Sequence, residues 1–192
     1  MVDALIVVDA QNEFSPAGKR PVPNHPAALA AILAHVEWAR HERRPIAWVR
    51  HHNKPNESPA FIPKSWGAEF SPGLGPRSGF GPEALFEKDV YGAFTGTGLE
   101  EWLRSVHGNT VLIVGFYAHM CLSTSVREAL VRGFTVAVDP EATGARDLDH
   151  PVLGRQTADE VRRSTLLHLT NMGATIARRL TPTSVGQTEV VG

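Results

Sequence analysis

The stretch ALIVVDAQNEF, residues 4–14, decides the fold. Ala4 to Val8 is an unbroken apolar run that stops abruptly at Asp9-Ala10-Gln11-Asn12. A strand with one wet face alternates apolar and polar residues, whereas an unbroken run marks a strand buried on both faces, the habit of parallel sheets covered by helices. The polar stop puts Asp9 just beyond the carboxyl end of that strand. Ligands of parallel α/β sheets gather beyond those ends, so Asp9 is a candidate functional residue from the outset.

The same punctuation recurs along the chain. Pro26 to Arg43 carries Leu29, Ile32, Leu33, Val36 and Ala39 at helical spacing. Pro45 to Val49 is a second short apolar run, followed at once by Arg50-His51-His52-Asn53. From Lys54 to Gly81 the chain is rich in Pro and Gly and carries Phe61, Trp66, Phe70 and Phe80, the composition of a long loop laid over a surface. Strands are then expected at Phe86 to Val90, Thr110 to Val114, Phe134 to Val138 and Ala174 to Ala177, with helices at Gly98 to Val106, Ser123 to Arg132 and Thr157 to Met172. Strand and helix alternate, which predicts an α/β fold: a Rossmann-like three-layer α/β/α sandwich around a mostly parallel sheet of about six strands. Residues 1–180 are expected to form one domain, and residues 181–192 a C-terminal tail.

Composition narrows the function. Nineteen Lys and Arg against twenty Asp and Glu leave a formal charge of -1 over 192 residues, so no broad positive field exists to gather phosphate backbones. Nucleic acid is excluded as an expected partner. No apolar run approaches the roughly 20 residues needed to cross a bilayer, so a membrane is not an expected partner either. Acidic Asp3 and Asp9 stand where a signal peptide wants basic residues, and a cytoplasmic location is expected. The single cysteine, Cys121, can form no disulfide within the chain, and a reducing compartment suits it. A lone cysteine is often no more than a small buried hydrophobe. Cys121, however, follows the apolar run Thr110 to Val114 by seven residues and precedes a helix, so it too lies beyond a strand end.

Three segments, LIVVDAQNEF (5–14), FEKDVYGAFTGTGLEEWL (86–103) and VLIVGFYAHMCLSTSVREALVRGFTV (111–136), together resemble the isochorismatase-like cysteine hydrolases. The resemblance spans Ala4 to about Ala177 and implies the parallel-sheet fold already read from the pattern. It also implies an Asp, Lys, Cys triad, placed here on Asp9, Lys88 and Cys121. The chemistry gives its own reason for these three. The reactive form of cysteine is the thiolate, and a free thiol is mostly protonated at neutral pH, so the sulfur needs a base and a nearby positive charge. Asp9 is the base and later the acid, and Lys88 favours the charged forms of both partners. The bland alternatives are a polar stop for Asp9 and an edge-strand surface lysine for Lys88.

The resemblance further implies an oxyanion hole from backbone N–H groups at Tyr117, Ala118 and Cys121, beside a non-proline cis peptide around Tyr117 and Ala118. Phe14, His51, Trp66, Tyr117 and His119 are expected to contact a small-molecule substrate. Where family members commonly carry a Thr and then Asp or Asn before the cysteine, this chain has Ala118 and His119. His119 is open to two further readings, a pocket donor or the base of a Cys–His dyad. Nicotinamidases of the family hold a metal through an Asp and several His after the second strand, but Arg50-His51-His52-Asn53 offers no Asp, and adjacent residues of an extended segment point opposite ways. No metal and no cofactor is therefore expected. A homodimer or homotetramer is the assembly the resemblance implies. The expected activity is hydrolysis of an amide, urea-like or ureido C–N bond through a thioester. An isochorismatase-type vinyl ether hydrolase and a catalytically silent binding protein are the alternatives.

Overall fold

The computed structural model describes residues 2–177, so the expected boundary at residue 180 and the tail beyond it lie outside the described residues. Six parallel strands form one sheet: β1 (Ala4–Val8), β2 (Ile46–His51), β3 (Glu83–Lys88), β4 (Thr110–Gly115), β5 (Thr135–Thr143) and β8 (Thr175–Ile176). Their order across the sheet is β3-β2-β1-β4-β5-β8, which puts β1 and β4 side by side at the centre. Helices α1 (His25–His41), α2 (Leu99–Ser105), α3 (Ser123–Val131) and α4 (Ala158–Asn171) cover it.

The unbroken apolar run of β1 has the predicted cause. Leu5 and Val7 face one way and pack with Ile32, Val36, Trp48 and Leu112, beneath α1. Ala4, Ile6 and Val8 face the other way and pack with Leu99, Leu103, Ile113, Val126 and Leu169, beneath α2, α3 and α4. All five β1 side chains are fully buried. The result is the expected α/β/α sandwich.

Most boundaries shift by one or two residues, but two strands reach three or more residues beyond expectation, each where a charged residue is buried with a partner. β3 begins at Glu83, three residues early: the Arg40 guanidinium of α1 and the Trp48 indole both donate to the Glu83 carboxylate, at 2.9 and 2.8 Å. β5 runs on past Val138 to Thr143, because Asp139 is buried against His35 of α1 at 2.6 Å. Short polar strands β6 (Leu148–His150) and β7 (Gly154–Gln156), which lack any apolar pattern, form an unexpected antiparallel hairpin before α4. No helix among the described residues is long and apolar enough to cross a membrane.

The centre of the sheet depends on one glycine. Gly115 ends β4 at φ +121°, and a Cβ placed there would lie 1.9 Å from the Val8 carbonyl oxygen. That same oxygen accepts the Phe116 N–H at 3.0 Å, so the backbone leading to Cys121 is pressed onto the backbone leading to Asp9. Gly115→Ala combines a left-handed backbone with a clash against main chain. It is expected to cost about 3 kcal/mol or more, seen in thermal melting as a fall of roughly 6 °C or more or as insoluble protein.

Candidate active site

Asp9, the first residue past β1, adopts φ +52°, a conformation asparagine and aspartate tolerate better than most residues. Its backbone N–H donates to Val49 of β2 at 2.9 Å, which anchors the turn that carries its carboxylate. Lys88 is the last residue of β3. Although β3 is an edge strand, the Lys88 side chain is fully buried and its Nζ lies 2.7 Å from Asp9 Oδ2, across the end of β2. Its ammonium donates also to the Val90 carbonyl at 3.1 Å and to His51 Nδ1 at 3.3 Å, and it interacts with the Cys121 sulfur. Because an ammonium only donates, His51 Nδ1 is an acceptor, and its Nε2 donates to Asn53 Oδ1 at 2.8 Å.

Cys121 completes the cluster. After β4 the chain passes through a cis peptide between Phe116 and Tyr117, one bond earlier than expected. It then enters a π-helical turn, Ala118–Leu122, that leads directly into α3. Cys121 therefore lies inside a widened first turn rather than at a plain helix start, a geometry common at functional sites. The sulfur is buried. Burial pushes the Cys121 thiol well above the ordinary range, the Asp9 carboxylate pushes it further the same way, and Lys88 opposes both. For Lys88, burial acts to lower the ammonium, but the charges of Asp9 and Cys121 outweigh it and the net shift is upward. Asp9 Oδ1 is buried with no hydrogen-bond partner, whereas Oδ2 holds Lys88. Burial and the Asp9 charge thus favour the protonated form of Cys121, next to a carboxylate able to take its proton.

A cavity of about 260 Å³ opens above these residues. Asp9, Cys121 and His51 form its floor side, Phe14, Phe61, Tyr91, Tyr117 and Met120 its apolar walls, and Arg20, Asn53, Glu57, Ser58 and Arg146 its polar rim. Of the expected substrate contacts, Phe14, His51 and Tyr117 line the cavity. Trp66 does not: its side chain is exposed elsewhere, and only its carbonyl is used, accepting from Asn12. His119 does not line it either. It leans on the Tyr117 ring, with centroids 5.2 Å apart, and burial followed by the charge of Arg146 lowers its pKa to about 4. Ala118 is also removed from the expected oxyanion donors, since its N–H is held by the Gly144 carbonyl at 2.8 Å. The remaining backbone donors of that set are Tyr117 and Cys121. The histidines do not fit a metal: His51 is committed to Lys88 and Asn53, and His52 faces Glu87, with Nδ1 3.8 Å from Oε1. Among the described residues no group of three His, Cys, Asp or Glu is placed to hold an ion.

Two further residues of the first motif, Gln11 and Glu13, shape the cavity without lining it. Gln11 clamps the His51 backbone, accepting its N–H at 2.9 Å and donating to its carbonyl at 2.9 Å. Buried Glu13 accepts the N–H groups of Phe61 and Lys19, at 3.1 and 2.7 Å, and so fixes two rim loops around Phe14.

The family model for the isochorismatase domain matches residues 3–176. The chain belongs to that family. Similar proteins include a secreted isochorismatase effector of Verticillium dahliae, 34% identical over 144 residues that cover 75% of this chain and 73% of the relative. Nicotinamidase 3 of Arabidopsis thaliana is 29% identical over 152 residues, 74% of this chain and 73% of that one. A crystal structure of an isochorismatase from Pseudomonas putida superposes with a TM-score of 0.84 at 30% identity, over 92% of this chain and 88% of the other. An isochorismatase-family hydrolase is the coarse identity these findings carry. In fold, the chain also matches an N-carbamoylsarcosine amidase from Thermoplasma acidophilum, with a TM-score of 0.78 over 97% of this chain and all of that one, at 24% identity.

Removing one member of the buried ion pair strands the other. Lys88→Met is expected to lose about 3–5 kcal/mol in urea unfolding, with part regained in the double variant Asp9→Asn, Lys88→Met. The thiol makes the second test. Asp9→Asn removes a charge that raises the Cys121 pKa, so at pH 7 iodoacetamide should label that variant faster than the parent, whose own labelling is slower than that of glutathione and climbs with pH. Faster labelling of the parent than of glutathione at pH 7 contradicts a resting thiol.

Proposed function

We propose that the protein is a cysteine-dependent amidohydrolase that cleaves a carboxamide, urea-like or ureido C–N bond of a small molecule through a thioester to Cys121. The observation that carries this is the buried Cys121 thiol next to an Asp9 carboxylate that is itself held by Lys88, at the floor of a small cavity. In the first half-reaction the sulfur adds to the carbonyl carbon as its proton passes to Asp9, and the backbone N–H groups of Cys121 and Tyr117 stabilise the oxyanion. Asp9 then returns the proton to the leaving nitrogen, the C–N bond breaks, and ammonia or an amine departs. In the second half-reaction water attacks the thioester, Asp9 takes a proton from it and gives one to sulfur, and the acid leaves. Lys88 balances the Asp9 charge through their 2.7 Å contact in each half.

The similarity to a protein named as an isochorismatase effector favours a second reading, vinyl ether hydrolysis, but that leaves the Asp9, Lys88 and Cys121 cluster without a use. A cytoplasmic placement is supported by the single free thiol, although the Verticillium relative is named as secreted. A homodimer or homotetramer remains the expected assembly, measurable by size-exclusion chromatography with light scattering.

Ammonia release from a panel of small amides tests the chemistry. Cys121→Ala is expected to abolish release, and Asp9→Asn to slow it by about 10²–10⁴-fold, the usual share of a positioned acid–base group. Rapid quench of the parent with an active amide, followed by mass spectrometry, should capture an acyl adduct on Cys121. Turnover that survives in Cys121→Ala removes the covalent mechanism.

A further inference from the structure

Within the amidase reading, the cavity's charge points to a substrate class. Its floor is electrically balanced, because the Asp9 carboxylate is paired with the Lys88 ammonium at 2.7 Å. The rim is not balanced. Two guanidinium groups line it, Arg20 and Arg146, and they differ in how they are occupied. Arg20 donates to Ser58 Oγ at 3.0 Å, while its carbonyl accepts the Tyr117 hydroxyl at 2.7 Å. Arg146 has no hydrogen bond or ion pair among the described residues. Its neighbour in sequence, Asp147, is spent elsewhere, on the Arg155 side chain at 2.6 Å and the Ala158 N–H at 2.9 Å. The one rim carboxylate, Glu57, follows the same loop as Ser58 and accepts the Lys54 N–H at 3.0 Å.

The backbone brings this unpaired cation to the nucleophile's side. Arg146 stands two residues after Gly144, whose carbonyl holds the Ala118 N–H at the start of the turn that bears Cys121. Its charge reaches into the cavity wall: it acts on both Tyr117 and His119, and for His119 it reinforces the effect of burial in keeping the ring neutral. His119 therefore adds no positive charge to that of the two guanidinium groups, and Arg146, exposed at the rim, is a donor fork with no partner among the described residues. A guanidinium binds a carboxylate in two parallel hydrogen bonds, and an uncharged amide cannot replace them. The volume, about 260 Å³, lies just under the usual range for drug-sized ligands and suits a metabolite of a few carbons.

We infer that the substrate is a small amide carrying a carboxylate distal to the scissile carbonyl, with Arg146 as the carboxylate anchor and Cys121 as the nucleophile. The apolar walls take the short linker between the two groups. Because Arg146 belongs to the segment after β5 and Cys121 to the turn after β4, linker length is set by the spacing of two loops fixed on neighbouring strands.

The inference rests on the amidase reading and is tested so that the two can fail separately. Malonamate, succinamate and glutaramate are compared with their uncharged diamides by ammonia release, in the parent and in Arg146→Met. At least one of the three acids should exceed its diamide by roughly tenfold or more in kcat/KM, and Arg146→Met should shrink that ratio about ten- to a hundredfold through KM, the worth of a charge-assisted hydrogen-bonded pair. Arg146→Lys should restore part of it. Diamides cleaved as well as the acids, or a ratio untouched by Arg146→Met, overturn the inference while leaving the amidase intact. As a readout free of turnover, Cys121→Ala protein is titrated calorimetrically with malonate, succinate and glutarate. Saturable binding that Arg146→Met weakens upholds the anchor even if no amide in the panel is cleaved, in which case the amidase reading fails alone. No binding of any of the three, together with no preference for the acids, sinks the anchor.

Discussion

The ion pair between Asp9 and Lys88 is the constraint around which the site is arranged. Both side chains are fully buried, at opposite flanks of β2, and 79 residues separate them in the chain. Burying two charges costs more than an exposed pair returns, and well-packed apolar residues in their place would often be as stable or more so. Its presence between the strand ends is therefore better accounted for by the proposed chemistry than by stability. Lys88 is held by Asp9 Oδ2, His51 and the Val90 carbonyl, and among the described residues Asp9 Oδ1 is the one buried carboxylate oxygen without a hydrogen-bond partner. That oxygen is where a proton from Cys121 can go.

The sheet supplies the alignment. β1, β2, β3 and β4 all run the same way, so Asp9, His51, Lys88 and the turn carrying Cys121 emerge at one edge. Gly115 lets β4 approach β1 closely at that edge, and the Phe116 N–H bond to Val8 holds the two strand exits in contact. A thiol placed there is hidden from water and close to a carboxylate, and both conditions favour its protonated form. In the proposed mechanism the proton is transferred during attack, which requires the base within reach and makes a permanently ionised sulfur unnecessary.

Rim loops and floor have separate origins. The floor comes from strand ends, whereas the walls come from residues that follow those ends in the three motifs, joined by Phe61 of the long Pro- and Gly-rich segment. Glu13 links them, holding the N–H groups of Phe61 and Lys19 from beneath Phe14. Trp66 and His119 show how easily such loops mislead. Each sits in a segment that borders the site in sequence, yet Trp66 points outward and His119 packs behind Tyr117. Nothing in local pattern distinguishes an aromatic residue that lines a cavity from one on the far side of the same loop.

The sequence by itself determined the α/β sandwich, the strand ends that bear Asp9 and Cys121, and the family. Burial on two faces writes itself as unbroken apolar runs, and the three motifs are local enough to read directly. Strand extents failed where a charged residue is buried with a distant partner, as Glu83 is with Arg40 and Asp139 with His35, because no local pattern records a partner 43 or 104 residues away. Only the tertiary structure decided that burial and Asp9 push the Cys121 thiol upward, that the Ala118 N–H is spent on Gly144, that Gln11 positions His51, and that Arg146 lines the cavity with no partner among the described residues. Each of these depends on distances between groups far apart in the chain. Desolvation and hydrogen-bond satisfaction act through space, so a sequence can name the groups but not their state.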